Sequence, residues 1–361
     1  MRQCPVLASP ASRTGKTLSP DRFQQITGKY AALRLGVVGD FCLDRYLEID
    51  PAKQETSIET GLPVHNVVKV RSQPGAAGTI LNNLVALGIG ELFPVGFAGD
   101  DGEGFELRAA LRNQRGVRLD HFWQTDQRRT FTYCKPLVVE PGKAPVELNR
   151  LDSKNWTPTP ALLQGRLIDS AANVAADADA MILMDQVDLP ETGVVTSRLL
   201  EAVGGIVKEL PELPIVADSR RGLRGYPPVC LKMNRAELDA LMGCPAGAEL
   251  PELGAVAAAL ACKQGRSVFV TLSERGILGA SPAGAIEHVA ALPVRGTIDV
   301  VGAGDAVTAN LTAALAAGAT LREALEIAMA AASIVIHQLG TTGTATVSQI
   351  QTVLESAAAR T

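Results

Sequence analysis

Residues 76–338 alternate short apolar runs with longer Ala-rich stretches, and this rhythm constrains the fold more than any other feature of the chain. Ala180-Met181-Ile182-Leu183-Met184, Ile215-Val216-Ala217 and Val268-Phe269-Val270 are continuously apolar rather than alternating. Such runs are strands buried on both faces, as in a parallel sheet covered by helices. Helical patterns fill residues 77–87, 104–113, 160–176, 192–209, 235–242, 252–263, 304–317 and 321–338, and 276–281 with 285–292 suggests a hairpin. Alternation of this kind predicts an α/β fold with a mostly parallel sheet between helical layers. Aromatic residues make up only 4% of the chain against 47% apolar, so the interior must be built from Ala, Val, Leu and Ile. A length of 361 residues suits one large domain with an appendage.

Two stretches break the rhythm. Residues 46–71 and 131–152 are extended and mixed in polarity, like strands of a small sheet with one exposed face. They read as two excursions forming one β lid, which leaves 19–45, 72–130 and 153–361 as the core. Ser19-Pro20-Asp21 is a helix start, with Ser as cap, Pro in the first turn and an acid at the positive end, and the helix is expected to run to about Leu33. Residues 1–18 read as a disordered leader. The net charge is −4 with no basic run, which argues against a nucleic-acid surface. No apolar stretch is long enough to span a membrane. The six cysteines are scattered without metal-ligand spacing, so reduced thiols in the cytoplasm are expected.

In a parallel sheet, ligands bind beyond the carboxyl ends of the strands. Asp40, Asp100, Asp185 and Asp218 stand at or next to such ends and suggest an acidic, hydroxyl-binding cleft. The sharpest signal is Gly302-Ala303-Gly304-Asp305 at the head of a long Ala-rich helix. Glycine lets an anion approach the backbone, where the N–H groups of a helix start point outward. An Asp at the same place can take a proton from a substrate hydroxyl. Taken alone, Asp305 could equally complement the helix dipole. A dinucleotide loop fits poorly, because its third glycine would fall at Val307, and no GxxxxGK[ST] run is present.

The Gly-Ala-Gly-Asp loop resembles the signature of the ribokinase-like (PfkB) carbohydrate kinases, and four more segments agree in order. They are Gly39-Asp40 with Leu43-Asp44-Arg45-Tyr46, Gly75-Ala76-Ala77-Gly78 with Asn83, Asn234-Arg235-Ala236-Glu237, and Thr271-Leu272-Ser273-Glu274-Arg275-Gly276. The resemblance covers about residues 34 to 350. It implies a ribokinase-like three-layer α/β/α fold and ATP-dependent phosphorylation of a sugar hydroxyl. Asp305 would then be the base, with the backbone of Gly302, Ala303 and Gly304 as the anion hole. Asn234 and Glu237 would organise Mg²⁺, largely through water; their other reading is a capped helix start. Ser273, Glu274, Gly276, Ser333 and His337 would border the nucleotide. Asp40, Asp44, Gly75, Ala76, Thr79, Asn83 and Arg150 would face the acceptor. A monovalent cation is left open.

Within the family, the branch that phosphorylates a heptose 7-phosphate at its anomeric hydroxyl is most similar in appearance, through Leu62-Pro63-Val64, Arg150-Leu151-Asp152 and Leu339-Gly340-Thr341. The chain departs from the family at Thr79, Val301, Met329, Ser333, Asp185-Gln186 and Asp218-Ser219-Arg220, which leaves the acceptor open. A nucleoside acceptor would want aromatic partners near the lid, with Tyr46, Phe122, Trp123 and Phe131 as candidates. A non-catalytic sugar- or nucleotide-binding homologue is a third reading. The exposed edges of a small lid sheet invite pairing, so a homodimer through the lid is expected.

Overall fold

A computed structural model describes residues 18–359 apart from Ala246. The leader expected over residues 1–18 lies outside it except for Leu18, whose N–H donates to Glu326 Oε2 at 2.7 Å. Helix α1 (Pro20–Thr27) is capped by the Ser19 hydroxyl, which accepts from Arg22 N. It ends earlier than expected, at Gly28, and a 3₁₀ turn at Tyr30–Ala32 follows.

Strand β1 (Arg34–Gly39) is separated from β2 (Phe41–Ile49) by one residue, Asp40. The hairpin β3 (Glu55–Thr56) and β4 (Pro63–Val64) leads to β5 (Val67–Ala76), which runs directly into α2 (Ala77–Ala86). Next come β6 (Glu91–Gly99), α3 (Gly102–Arg112), β7 (Phe122–Thr125), β8 (Phe131–Val138) and β9 (Val146–Glu147). The alternating part is α4 (Ala161–Asp177), β10 (Ala180–Asp185), α5 (Ser197–Glu209), β11 (Ile215–Ser219), β12 (Cys230–Asn234), α6 (Arg235–Met242), α7 (Leu250–Gln264) and β13 (Val268–Thr271). The hairpin β14 (Ile277–Ala280) and β15 (Ile286–Val289) precedes helices α8 (Ala303–Ala316), α9 (Leu321–Val335) and α10 (Val347–Ala358).

Nine strands form one sheet in the order β15-β14-β13-β12-β11-β10-β1-β6-β7. All neighbours from β13 to β7 are parallel, and only the β13-β14-β15 end is antiparallel. One apolar cluster, on the side of α2, α8 and α9, joins the sheet to residues such as Ile80, Leu311 and Leu325. A second cluster covers the other face with α4, α5 and α7, through Leu167, Val203 and Ala257. Nearly every side chain from Ala306 to Ala314 in α8 is buried. The small residues there let α8 lie close to both α2 and the sheet, which is what an Ala-rich, aromatic-poor chain can offer.

The small sheet has the order β5-β2-β8-β9. It begins at Phe41, earlier than the break in rhythm at Tyr46 suggested, because Phe41, Cys42 and Leu43 are as buried as a core strand and carry no polar alternation. Phe41 meets Phe122 edge-on at 5.2 Å and ties the root of the small sheet to the large one. Cys42, Cys134, Cys230 and Cys244 are free thiols.

Candidate active site

Two clefts open at the carboxyl ends of the strands. The first, about 990 Å³, is bordered by Thr271, Ser273, Glu274 and Gly276 after β13, by Ala303 and Gly304 of α8, and by Met329, Ala332 and Ser333 of α9. Its far wall is apolar, from Leu292, Val294, Ile298 and Ile336. That lining suits a flat heterocycle, with the polar turn and the head of α8 left for charged groups. Ser273 is held at φ 53°, a strained setting for a residue with a side chain, at the tight turn of this wall.

The second cleft lies between the two sheets and is lined by Asp40, Cys42, Ala76, Phe131, Tyr133, Lys154, Trp156, Gln186 and Asp188 among others. Gly75 brings the backbone of β5 close to β2: a Cβ there would lie 2.5 Å from Asp44 Oδ2. Asp44 is buried, and Lys135 Nζ approaches it at 3.9 Å. Lys154 and Arg220 both pair with Asp188, at 2.6 and 3.3 Å. Arg150 pairs with Asp152 and stacks on the Tyr133 ring at 4.9 Å.

Asp305 stands in the first turn of α8. Gly302 caps this helix with φ 84°, a left-handed setting that glycine adopts without strain. The first N–H groups of a helix have no partner within it, and here they open toward the nucleotide-sized cleft. Burial, then the charge of Asp218, pushes the Asp305 carboxyl up to about 7; Lys232 opposes the shift and Asp44 adds to it. Asp305 directly follows Gly304, which lines the first cleft, and it feels the charges of Asp218 from β11 and Asp44 from the small sheet. A carboxylate near neutral is suited to take a hydroxyl proton at cellular pH.

Residues 41–347 match the pfkB family carbohydrate kinase. The chain belongs to the pfkB family of carbohydrate kinases.

As a member of this family it is a phosphotransferase with the ribokinase-like fold. It is 32% identical over 310 residues to the bifunctional protein HldE of Gluconobacter oxydans, covering 85% of this chain and 62% of that protein. It is 31% identical over 329 residues to HldE of Hyphomonas neptunium, covering 91% of this chain and 64% of the relative. The chain therefore spans about three-fifths of the length of these curated relatives. Arabidopsis thaliana ribokinase, solved with ribose and ATP, superposes with a TM-score of 0.65 at 22% identity, covering 90% of this chain and 99% of that one. Escherichia coli phosphofructokinase-2 gives 0.68 at 18% identity with the same coverage.

Within this PfkB chain, the expected residues divide. Asp40 and Ala76 line the cleft between the sheets. Asp40 also accepts from the backbone of Gln186, Val187 and Val194, so it fixes the loop after β10 as well. Burial and the neighbouring Asp185 raise its proton affinity, and those three bonds oppose the rise. Thr79 and Asn83 are buried inside α2. The Asn83 amide bonds the carbonyls of Thr79 and Gly343, so it holds helix to loop instead of facing a ligand. Asp100 is exposed and accepts from Gln124, apart from the buried acids Asp40, Asp185 and Asp218. His337 lines a neighbouring cavity and bonds Arg295 N and the Ser333 carbonyl, so it is not on the nucleotide-sized cleft.

Asn234 and Glu237 form the reciprocal capping box at the start of α6, at 2.9 and 2.7 Å. Among the described residues, no cluster of three or more His, Cys, Asp or Glu is arranged to hold a metal. Their oxygen donors, with Asp218 close enough to act on Glu237, fit a hard cation that keeps its waters and leans on phosphate oxygens. Sequence reasoning passed over Lys232, which is 6% exposed and bonds Asp218 at 2.7 Å. A lysine inside the apolar run Cys230-Leu231-Lys232-Met233 was the available signal, since a buried ammonium demands a partner.

Proposed function

We propose that this chain transfers the γ-phosphoryl group of ATP to a hydroxyl of a sugar or sugar phosphate, with a heptose 7-phosphate as the leading acceptor. The position of Asp305 carries this reading: it stands in the first turn of α8 beside Ala303 and Gly304, which line the nucleotide-sized cleft, with its carboxyl raised to about 7. The nucleotide base lies against Leu292, Val294 and Met329, and its phosphates follow Ser273 and Gly276 to Gly304. The acceptor lies near Asp40, Asp44 and Gly75. Asp305 takes the proton from its hydroxyl, and the backbone of Gly302 to Gly304 receives the charge on the moving group. Magnesium, held by Asn234 and Glu237 through water, would neutralise phosphate charge when bound. The small sheet serves as a lid that limits water access.

Lys154 on the acceptor cleft shares the one carboxylate of Asp188 with Arg220, which leaves a cation underpaired there and supports an acceptor that already bears a phosphate. The HldE relatives support the heptose branch. A nucleoside acceptor is the second reading, favoured by Phe131, Tyr133 and Trp156 on the cleft wall; the cations stacked on Tyr133 weigh against it. An ADP-release screen with Mg-ATP over hexoses, heptoses, their phosphates and nucleosides tests the choice. The strongest signal is expected with heptose 7-phosphate and its loss in Asp305→Asn. A silent heptose 7-phosphate beside another active sugar rejects the branch, and an unchanged rate in the variant rejects the base.

A further inference from the structure

The chemistry left unassigned lies beneath the glycines of α8. Lys232 is the central residue of β12 and is flanked by the buried Leu231 and Met233. Its Nζ donates to Asp218 Oδ2, its one hydrogen-bond acceptor among the described residues. Thr308 Oγ1 lies 2.9 Å from the same oxygen and 3.1 Å from the Gly304 carbonyl, so its one proton is shared between them. One buried knot thus joins β11, β12 and α8. A Cβ added to Gly304 would lie 3.0 Å from Lys232 Nζ, so the ammonium rests against the glycine backbone itself. Packing alone gives no reason for a lysine here. Burying an ion costs several kcal/mol, and an apolar residue fills a strand position without that cost. Besides Asp218, the charges of Asp305 and Glu237 act on it, so the cation is central to the acidic end of the sheet.

We propose that Lys232 is a catalytic cation: oriented by Asp218 and Thr308, its ammonium contacts the phosphoryl oxygens as they pass over Gly304. The proposal rests on the kinase reading above. In that step the acceptor O–H gives its proton to the Asp305 carboxylate and the oxygen lone pair forms the new O–P bond. The bond between the γ-phosphorus and its bridging oxygen breaks, and its electron pair leaves on ADP. In the loose transition state the charge of the moving group is spread over its three remaining oxygens. An ammonium has three N–H donors; one is spent on Asp218 and two remain for those oxygens. In a site shielded from water such a cation is worth far more than in solution. Asp218 balances Lys232 in the resting site, so the lysine does not simply neutralise Asp305.

Lys232→Met, Lys232→Arg, Asp218→Asn and Asp305→Asn are compared with the wild-type chain in Mg-ATP turnover on the acceptor that gives the strongest ADP signal. Lys232→Met is expected to lower kcat about 100-fold or more, with both KM values within about threefold, and Lys232→Arg to recover about tenfold. If Lys232→Met fails to fold, Asp218→Asn decides through its pH profile. The groups acting on Asp305 are Asp218, Lys232 and Asp44, with the Cys42 thiol nearby. Removing the Asp218 charge moves the acid limb of kcat/KM to lower pH by itself, so the deciding readout is kcat on the plateau above that limb: a fall of about tenfold or more with both KM values unchanged is expected where Asp218 orients a catalytic ammonium, and an unchanged plateau where the knot only packs. Turnover of Lys232→Met within about threefold of wild type, or an unchanged plateau kcat in Asp218→Asn, overturns the proposal. An inactive Asp305→Asn beside a fully active Lys232→Met leaves the kinase reading standing and defeats this one alone. A wild-type chain that turns over no acceptor defeats both.

Discussion

Asp305→Asn is expected to make the protein more stable while it stops turnover. The carboxyl of Asp305 is raised from 3.8 to about 7, by burial first and by Asp218 next. A raised carboxyl binds its proton more tightly in the folded chain than in the unfolded one. Its favourable contribution is therefore complete below about pH 4 and is lost as pH climbs through about 7. Above that, the folded chain carries the cost of an ionised acid in a poor setting. At about 1.4 kcal/mol for each tenfold in proton affinity, the cost at pH 8 is about 4 kcal/mol. Asp305 keeps some accessible surface, so water trims the figure, and about 2–4 kcal/mol is expected. Asn has nearly the same shape and no charge, so it escapes this cost. Urea unfolding of ligand-free protein, followed by the fluorescence of Trp123 and Trp156, measures the difference at pH 8 and pH 5. The variant should gain about 2–4 kcal/mol at pH 8 and less than half of that at pH 5. No gain at pH 8, or an equal gain at both, would refute the reasoning that Asp305 is held at the cost of the fold.

Ala76 has φ 54° and ψ −118°, a region natural to glycine, at the junction of β5 and α2. Ala76→Gly should relieve strain and raise stability by about 1 kcal/mol in the same unfolding assay; a loss would show that the surroundings do not enforce the angle. Along β5, Val67, Val68 and Val70 are each close to half exposed, which supports a homodimer paired through the lid. Light scattering coupled to gel filtration should give twice the chain mass, and a monomer at micromolar concentration rejects the pairing.

The layered architecture was legible because buried parallel strands write themselves as unbroken apolar runs, and β10, β11 and β13 fall where those runs do. The head of α8 was legible because Gly302 and Gly304 announce a backbone without side chains. What stayed hidden depends on partners distant in sequence. Asn83 looks like a ligand-binding amide until Gly343 is seen to take it. Asp100 ends a strand like Asp185 does, but only Asp185 meets Ser219 and Arg221 from β11 and the loop after it. Lys232 and Asp218 are fourteen positions apart and meet because β11 and β12 are neighbours in the sheet. The root of the small sheet was missed for the opposite reason: Phe41 to Leu43 are so well buried that they resemble the core they leave.

The single residue between β1 and β2 marks the line where the two sheets meet. Asp40 joins one sheet to the other, and its carbonyl accepts from Ala77 N, where β5 passes into α2. Asp44 and Gly75 ride on one side of that line, while Asp305 and the nucleotide cleft stay on the other. On the proposed kinase reading, the gap between an acceptor hydroxyl and Asp305 is set by the angle between the two sheets, and a wider angle would leave ATP beside a base with nothing in reach.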